Sequence, residues 1–187
     1  MKKATVKLTS TTPMAQGKYH SAPKLERELP KDYEARTWRE KLHYDGEGIV
    51  YVSPMAIKNC LSETAKFLGR QIPGKGKSTY TKHFEAGIMI PGPMTLGIKR
   101  DDITALWLFV PASGMRGDGK RVEKCFPVIN KWSGTVEAYI TDEIITRDVF
   151  QDHFDASGKF IGLGSLRIRN NGIFGGFTAE VEEWEDV

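Results

Sequence analysis

Six glycines, Gly158, Gly162, Gly164, Gly172, Gly175 and Gly176, fall between a polar helix-forming stretch and the alternating strand that ends the chain. Such a run continues neither as helix nor as sheet. Glycine takes left-handed turns without steric cost and leaves room for a close neighbour. The run must therefore be a loop system that hands a helix over to a final strand. It is threaded with Phe160, Arg167, Arg169, Phe174 and Phe177. Arginine offers a planar donor fork to phosphate, and aromatic rings offer faces on which bases stack. Two readings are open: a glycine-rich hairpin with incidental arginines, or a nucleic-acid surface.

The rest of the chain switches between strand and helix periods. Ala4 to Thr9 alternates, with Val6 and Leu8 on one face, and reads as a first strand. Residues 10–47 form an irregular insertion broken by Pro13, Gly17, Pro23 and Pro30, with a short helix over Asp32–His43 that turns Trp38 and Leu42 inward. Gly48–Val52 is a short strand. Ser53-Pro54 then opens a helix, since serine is a favoured N-cap and proline suits the first turn. Ile57, Leu61, Ala65 and Leu68 follow at helical spacing, and Gly69 ends it. His83–Ile90 reads as a strand. Residues 95–130 read as an inserted β-hairpin built on Thr104–Val110 and Val122–Ile129, with a glycine-rich tip. Gly134–Ile140 is a strand, Thr146–Ala156 a helix capped by Thr146, and Phe174–Trp184 the closing strand. With the two insertions set aside, the order is strand, helix, strand, strand, helix, strand. The expected fold class is α+β, with a ferredoxin-like or RRM-like β-α-β-β-α-β core, and the 187 residues suit one domain. The open sheet face is where this fold carries nucleic acid in RNA-recognition domains.

The net charge is only +3, but it is unevenly spread. Lys66, Arg70, Lys75, Lys77 and Lys82 occur with no acid between them, and Arg116, Lys120, Arg121 and Lys124 crowd the expected hairpin tip. The end of the chain carries Glu180, Glu182, Glu183, Glu185 and Asp186. A basic face and an acidic edge fit binding of a phosphate backbone. The acidic end also suits a basic face on a neighbouring copy.

Other chemistries find little support. Gln71–Ser78 ends in Gly-Lys-Ser, yet Gln71 stands where a nucleotide loop needs glycine, and the segment follows a helix rather than a strand. The four histidines are scattered, and His83 lacks a recognisable partner. Asp118 is a single carboxylate, a weak metal site. No cofactor and no metal are expected. Cys60 and Cys125 read as reduced, buried thiols. The basic N-terminus has no apolar stretch behind it, so a cytoplasmic protein is expected.

Three segments carry a family resemblance. Val52-Ser53-Pro54-Met55-Ala56-Ile57-Lys58 leading to Leu61 is similar to the strand-to-helix segment where the RAMP superfamily of CRISPR-associated proteins places a hydroxyl and a basic residue by RNA. Met115–Lys124 is similar to the basic tip of the thumb in its backbone subunits. Gly158–Phe177 is similar to the RAMP glycine-rich loop. The resemblance spans most of the chain, 1–187, as a single RAMP-like domain. It implies a subunit that coats guide RNA side by side with other copies of itself and with further subunits of a ribonucleoprotein complex in antiviral defence.

The reading is therefore a non-catalytic single-stranded nucleic-acid-binding protein that oligomerises along the strand, with RNA as ligand and DNA as the alternative. Phosphate contacts are expected from Lys58, Lys66, Arg70, Lys75, Lys77, Arg116, Lys120, Arg121, Lys124, Arg167 and Arg169, with the Ser53 hydroxyl beside them. Tyr80, Phe160 and Phe174 are the stacking candidates. Two rivals stand: a RAMP-type endoribonuclease using His20, His43 or His83, and a virus- or mobile-element-encoded single-stranded DNA-binding or assembly protein.

Overall fold

A computed structural model describes residues 1–113, 117 and 119–187. In chain order the elements are β1 (Lys2–Ser10), β2 (Met14–Ala15), α1 (Pro30–Thr37), β3 (Ile49–Val52), α2 (Pro54–Leu68), α3 (Thr81–Ala86), β4 (Ile88–Met89), β5 (Met94–Lys99), β6 (Thr104–Pro111), β7 (Arg121–Ile129), β8 (Ser133–Ile140), α4 (Arg147–Ala156) and β9 (Phe177–Asp186). One π-type turn, Ser157–Ile161, prolongs α4. The fold is a mixed α+β arrangement of antiparallel sheets.

The main sheet has the order β4-β8-β1-β9. Alternation in β1 sends Ala4, Val6 and Leu8 inward, where they meet Val136, Ala138 and Ile140 of β8 and Val181 of β9. Ile57 and Leu61 of α2 and Phe150 and Phe154 of α4 join the same core, so both helices cover this face. The helix ends follow the local chemistry. Gly69 takes the left-handed conformation that stops α2. The Thr146 hydroxyl accepts a hydrogen bond from the Val149 amide at 3.3 Å. Gln151 fastens α4 to β9 by accepting from the Val181 amide at 2.8 Å and donating to the Ala179 carbonyl at 2.9 Å.

The opposite face of this sheet carries Lys3, Thr5 and Lys7 beside Glu137, Glu180, Glu183 and Glu185. Lys3 pairs with Glu137 at 2.8 Å, and Thr5 donates to Glu183 at 2.7 Å. Carboxylates outnumber cations here, so a phosphate backbone is repelled where an RNA-recognition domain would hold it.

Two stretches differ from their sequence expectations. His83–Ile90 is not a strand: α3 occupies Thr81–Ala86, and only Ile88–Met89 pairs with β8. Tyr80 and Phe84, four residues apart, are both buried, and that helical spacing outweighs the alternation of Phe84, Ala86 and Ile88. The region 95–130 contains two pairings rather than one hairpin. Its first strand, β5, pairs with β3, as Tyr51 with Thr95 and Val52 with Met94. The hairpin itself is β6 with β7, from Thr104 opposite Val128 to Pro111 opposite Arg121. β2, from the irregular 10–47 stretch, extends it into a three-stranded sheet, β2-β7-β6.

Candidate nucleic-acid interface

The glycine-rich loop is held by its own backbone. Gly164 (φ +83°) lies so close to β2 that an added Cβ would stand 2.2 Å from the Ala15 carbonyl oxygen. Gly175 (φ +80°) would place one 1.9 Å from the Leu163 carbonyl oxygen. The Ser165 amide donates to Ala15 and the Gly175 amide to Pro13, each at 2.7 Å. The glycines thus allow close packing of chain on chain, and Gly162, Leu163, Gly175 and Gly176 are buried. What the loop presents outward are Gly164, Arg169, Asn170, Asn171 and Ile173, all exposed.

At one end of this loop a cleft of about 190 Å³ opens against the start of α2. Ser53, His43, Lys18, Gly164 and Ser165 line it. The Ser53 hydroxyl makes no capping hydrogen bond and is left for another acceptor or donor. Gln16, 4% exposed, organises the wall: it donates to the Tyr51 carbonyl at 2.9 Å and accepts from the His43 amide at 2.8 Å. Burial lowers the His43 pKa, and the Lys18 charge adds to this, so the ring is neutral at pH 7. The cleft therefore offers one ammonium group, hydroxyls and a neutral imidazole.

Along the outer side of α2 the loop builds a second surface. Phe67 and Phe160 are exposed, with centroids 5.5 Å apart. The Arg169 guanidinium sits over Phe67 at 5.5 Å and the Lys159 ammonium over Phe160 at 5.2 Å. Glu63 holds both loop arginines, Arg167 at 2.7 Å and Arg169 at 3.3 Å. This is an aromatic plate edged with cations, part of whose charge Glu63 neutralises. Phe174, half-buried, forms a backbone β-bridge with Arg167.

The other expected contact residues are scattered. Lys58 turns inward and donates to the Phe84 carbonyl, and burial lowers its pKa against the opposing Glu85 charge. It ties α2 to α3 instead of facing solvent. Lys66 pairs with Glu85 at 2.7 Å and Arg70 with Asp152 at 2.6 Å. Lys75 and Lys77 are exposed and make no ion pair among the described residues. This basic loop lies at the far end of α2 from Ser53, about 20 Å along the helix axis. Tyr80 is 5% exposed and packs edge-on against His153, so its ring is closed to a base. Arg116 and Asp118 lie outside the described residues. Lys120 is exposed at the base of the tip, Arg121 donates to the Phe109 carbonyl at 2.8 Å, and Lys124 is half-buried in β7. On the hairpin Trp107 and Phe109 are 39% and 59% exposed.

His83 has the partner that its sequence neighbours do not reveal. Its Nδ1 lies 2.6 Å from Asp142 Oδ2. Burial pushes the Asp142 carboxyl up, but hydrogen bonds from His83 and the Ile144 amide, with the charges of His83 and Lys75, outweigh it and hold the group below the usual carboxylate range. Among the described residues no cluster of three or more His, Cys, Asp or Glu side chains could hold a metal ion. Cys60 and Cys125 are free and buried, and burial pushes the Cys60 thiol up to about 12. No helix of the described residues is long and apolar enough to cross a membrane.

Sequence reasoning passed over Phe67, Glu63, Lys18 and Gln16. Phe67 was legible as an aromatic on the polar side of the Ile57–Leu61–Ala65 stripe. Glu63 carried no signal, because its partners lie more than a hundred residues away in the chain, Arg167 at a separation of 104.

No family model and no curated protein matches this chain. Among solved structures, it is similar to a chain of the Type III-B Cmr-beta bound to cognate target RNA, with a TM-score of 0.54 and 12% identity over 98% of this chain. That match covers 60% of the other chain, so this protein spans less than two thirds of its length. Cmr6 from Pyrococcus furiosus aligns over 95% of this chain and 98% of its own, with 11% identity and a TM-score of 0.48. At 12% identity the likeness to the Cmr-beta chain is one of fold alone, and it agrees with the resemblance read from the sequence.

Proposed function

We propose that this RAMP-type chain is a non-catalytic subunit that binds single-stranded nucleic acid, with RNA as its ligand, and assembles along the strand beside other copies or other subunits. The observation that carries the reading is the exposed pair Phe67 and Phe160, each with a cation against its ring, next to the glycine-rich loop. Stacking on such rings tolerates any base, as a coating protein requires. The Ser53 cleft, Lys75 and Lys77 supply further polar and cationic contacts, and the basic hairpin residues Lys120, Arg121 and Lys124 extend them. A likeness of fold to a chain from an RNA-bound structure supports the same ligand. We read the core as β1-α2-β4-β8-α4-β9, a ferredoxin-like unit, and the sheet order β4-β8-β1-β9 supports that reading.

Fluorescence anisotropy with labelled single strands tests the proposal. Affinity for RNA should grow with strand length and fall steeply as salt rises. Truncating both Phe67 and Phe160 to alanine should weaken binding by roughly 1–3 kcal/mol per base that stacks. Flat affinity between about 50 and 500 mM salt would sink the proposal.

One observation favours a second reading. The His83–Asp142 contact of 2.6 Å is the arrangement that orients an imidazole for general acid–base work. Incubating end-labelled RNA with the protein, with and without EDTA, separates the two. Cleavage that survives EDTA and disappears in His83→Ala would make the chain an endoribonuclease.

A further inference from the structure

A cleft larger than the one at Ser53, about 570 Å³ in volume, opens along the Thr11–Pro13 segment. Its walls come from the end of β1, from β5 and from the turn between β7 and β8. None of the residues that line it is an aspartate or a glutamate. The floor is apolar, made by Leu96, Ile98 and the Trp132 ring. Trp132 is 3% exposed, yet its indole Nε1–H has no hydrogen-bond partner. A donor buried without a partner costs free energy, and indole can only donate.

The rim is built of donors. Thr9, Thr11 and Ser133 are exposed; among the described residues their hydroxyls make no hydrogen bond and the Lys131 ammonium makes no ion pair. Two neighbours hold the frame. The Ser10 hydroxyl accepts from the Trp132 amide at 3.0 Å, and the Thr12 hydroxyl accepts from the Gly176 amide at 2.8 Å. The second bond ties this cleft to the end of the glycine-rich loop.

We propose that this cleft binds a nucleotide unit, with the phosphate at Lys131 and the threonine hydroxyls and the sugar or base against the floor of Leu96, Ile98 and the Trp132 ring. Four features point to that ligand: an apolar floor, a hydroxyl rim, one uncompensated cation and the absence of carboxylates. The volume falls within the range of about 300–1,000 Å³ that holds small ligands. The nucleotide is either one residue of a bound strand, in which case the proposal rests on the single-strand reading above, or a free nucleotide.

The test uses the full chain labelled with ¹⁵N. The protein has four tryptophans, and Trp132→Phe assigns the Trp132 indole resonance. Adenosine monophosphate, inorganic phosphate and an oligouridylate of about eight nucleotides are titrated separately. The proposal expects the Trp132 indole signal to move with the mononucleotide and at lower concentration with the oligonucleotide. Lys131→Gln and Thr11→Val should each weaken those responses about fivefold while the melting temperature stays unchanged. Movement with the mononucleotide alone, in a protein that fails to bind the strand, supports a free-nucleotide site and fells only the strand reading. Strand binding with an unmoved Trp132 signal and no loss in Lys131→Gln overturns this proposal and leaves the function above standing. An equal response to inorganic phosphate also overturns it, because the sugar and base would then contribute nothing.

Discussion

The glycine-rich loop and the basic loop at 70–79 look alike as sequence: both mix glycines with cations after a helix. In the folded chain they do opposite things. Between Gly162 and Gly176 the glycines are consumed by backbone packing, and the loop arginines are held by Glu63. In the basic loop, Gly74 (φ +75°) and Gly76 (φ +58°) meet nothing within 4 Å, and they serve only the turn. Lys75 and Lys77 stand free of ion pairs among the described residues. A glycine therefore reports a positive φ or a close neighbour, and only the fold says which neighbour. A cation reports a possible phosphate contact only once its own carboxylate partners are counted.

The largest expected effect breaks the packing side of this comparison. Gly175→Ala forces a Cβ against the Leu163 carbonyl as well as a strained φ, and should cost about 3 kcal/mol or more in urea unfolding. Gly74→Ala bears the φ strain alone and should cost about 1 kcal/mol. Equal losses would show that the loop is not packed as described.

The charge side is sharpened by Lys75→Gln with Lys77→Gln. If both lysines neutralise phosphates, the slope of log affinity for RNA against log salt should become shallower by about 1.4, at 0.7 per phosphate on a single strand. Stability should stay within about 0.5 kcal/mol, since neither side chain makes an ion pair among the described residues and the Lys75 charge acts on Asp142 only as the smallest of several contributions. Glu63→Gln is the converse change. It releases Arg167 and Arg169, and should raise RNA affinity about threefold at low salt while lowering stability by up to about 1 kcal/mol. An affinity that falls instead would mean that Glu63 positions the arginines for the ligand.

A smaller, slower trend concerns His153, which anchors α4 under the basic loop. It is fully buried, stacks on Phe84 at 4.0 Å and has an Nδ1 contact of 2.7 Å to the Val149 carbonyl. Burial lowers its pKa, outweighing the Val149 hydrogen bond. The unfolded chain therefore takes up the proton first, near the ordinary value of 6.5. The stability that this residue contributes is present above that pH and lost as pH falls below it. The melting temperature should drop between pH 7 and pH 5, and His153→Phe should flatten that drop. His43, lowered likewise, leaves a residual slope.

Most secondary elements were legible because their signals are local. Ser53-Pro54, the Ile57–Leu61–Ala65 stripe and Gly69 delimit α2 within about a residue, and Thr146 marks the start of α4. α3 was not legible, because six residues with one buried face satisfy either period and only packing on α2 decides between them. At the candidate site, Phe160, Arg167, Arg169 and Ser53 could be named from residue type alone. That Lys58 and Tyr80 face inward, or that Asp142 meets His83, depends on contacts between residues 26 to 73 positions apart.

What the sequence determined by itself, then, is most of the succession of strands and helices and the chemical character of its loops, since propensity, caps and period act over a few residues. The tertiary structure decided which cations remain free, which aromatic rings face solvent and where the clefts open. These follow from charge pairing and burial between distant segments, and such energies come into being only when the chain has closed on itself.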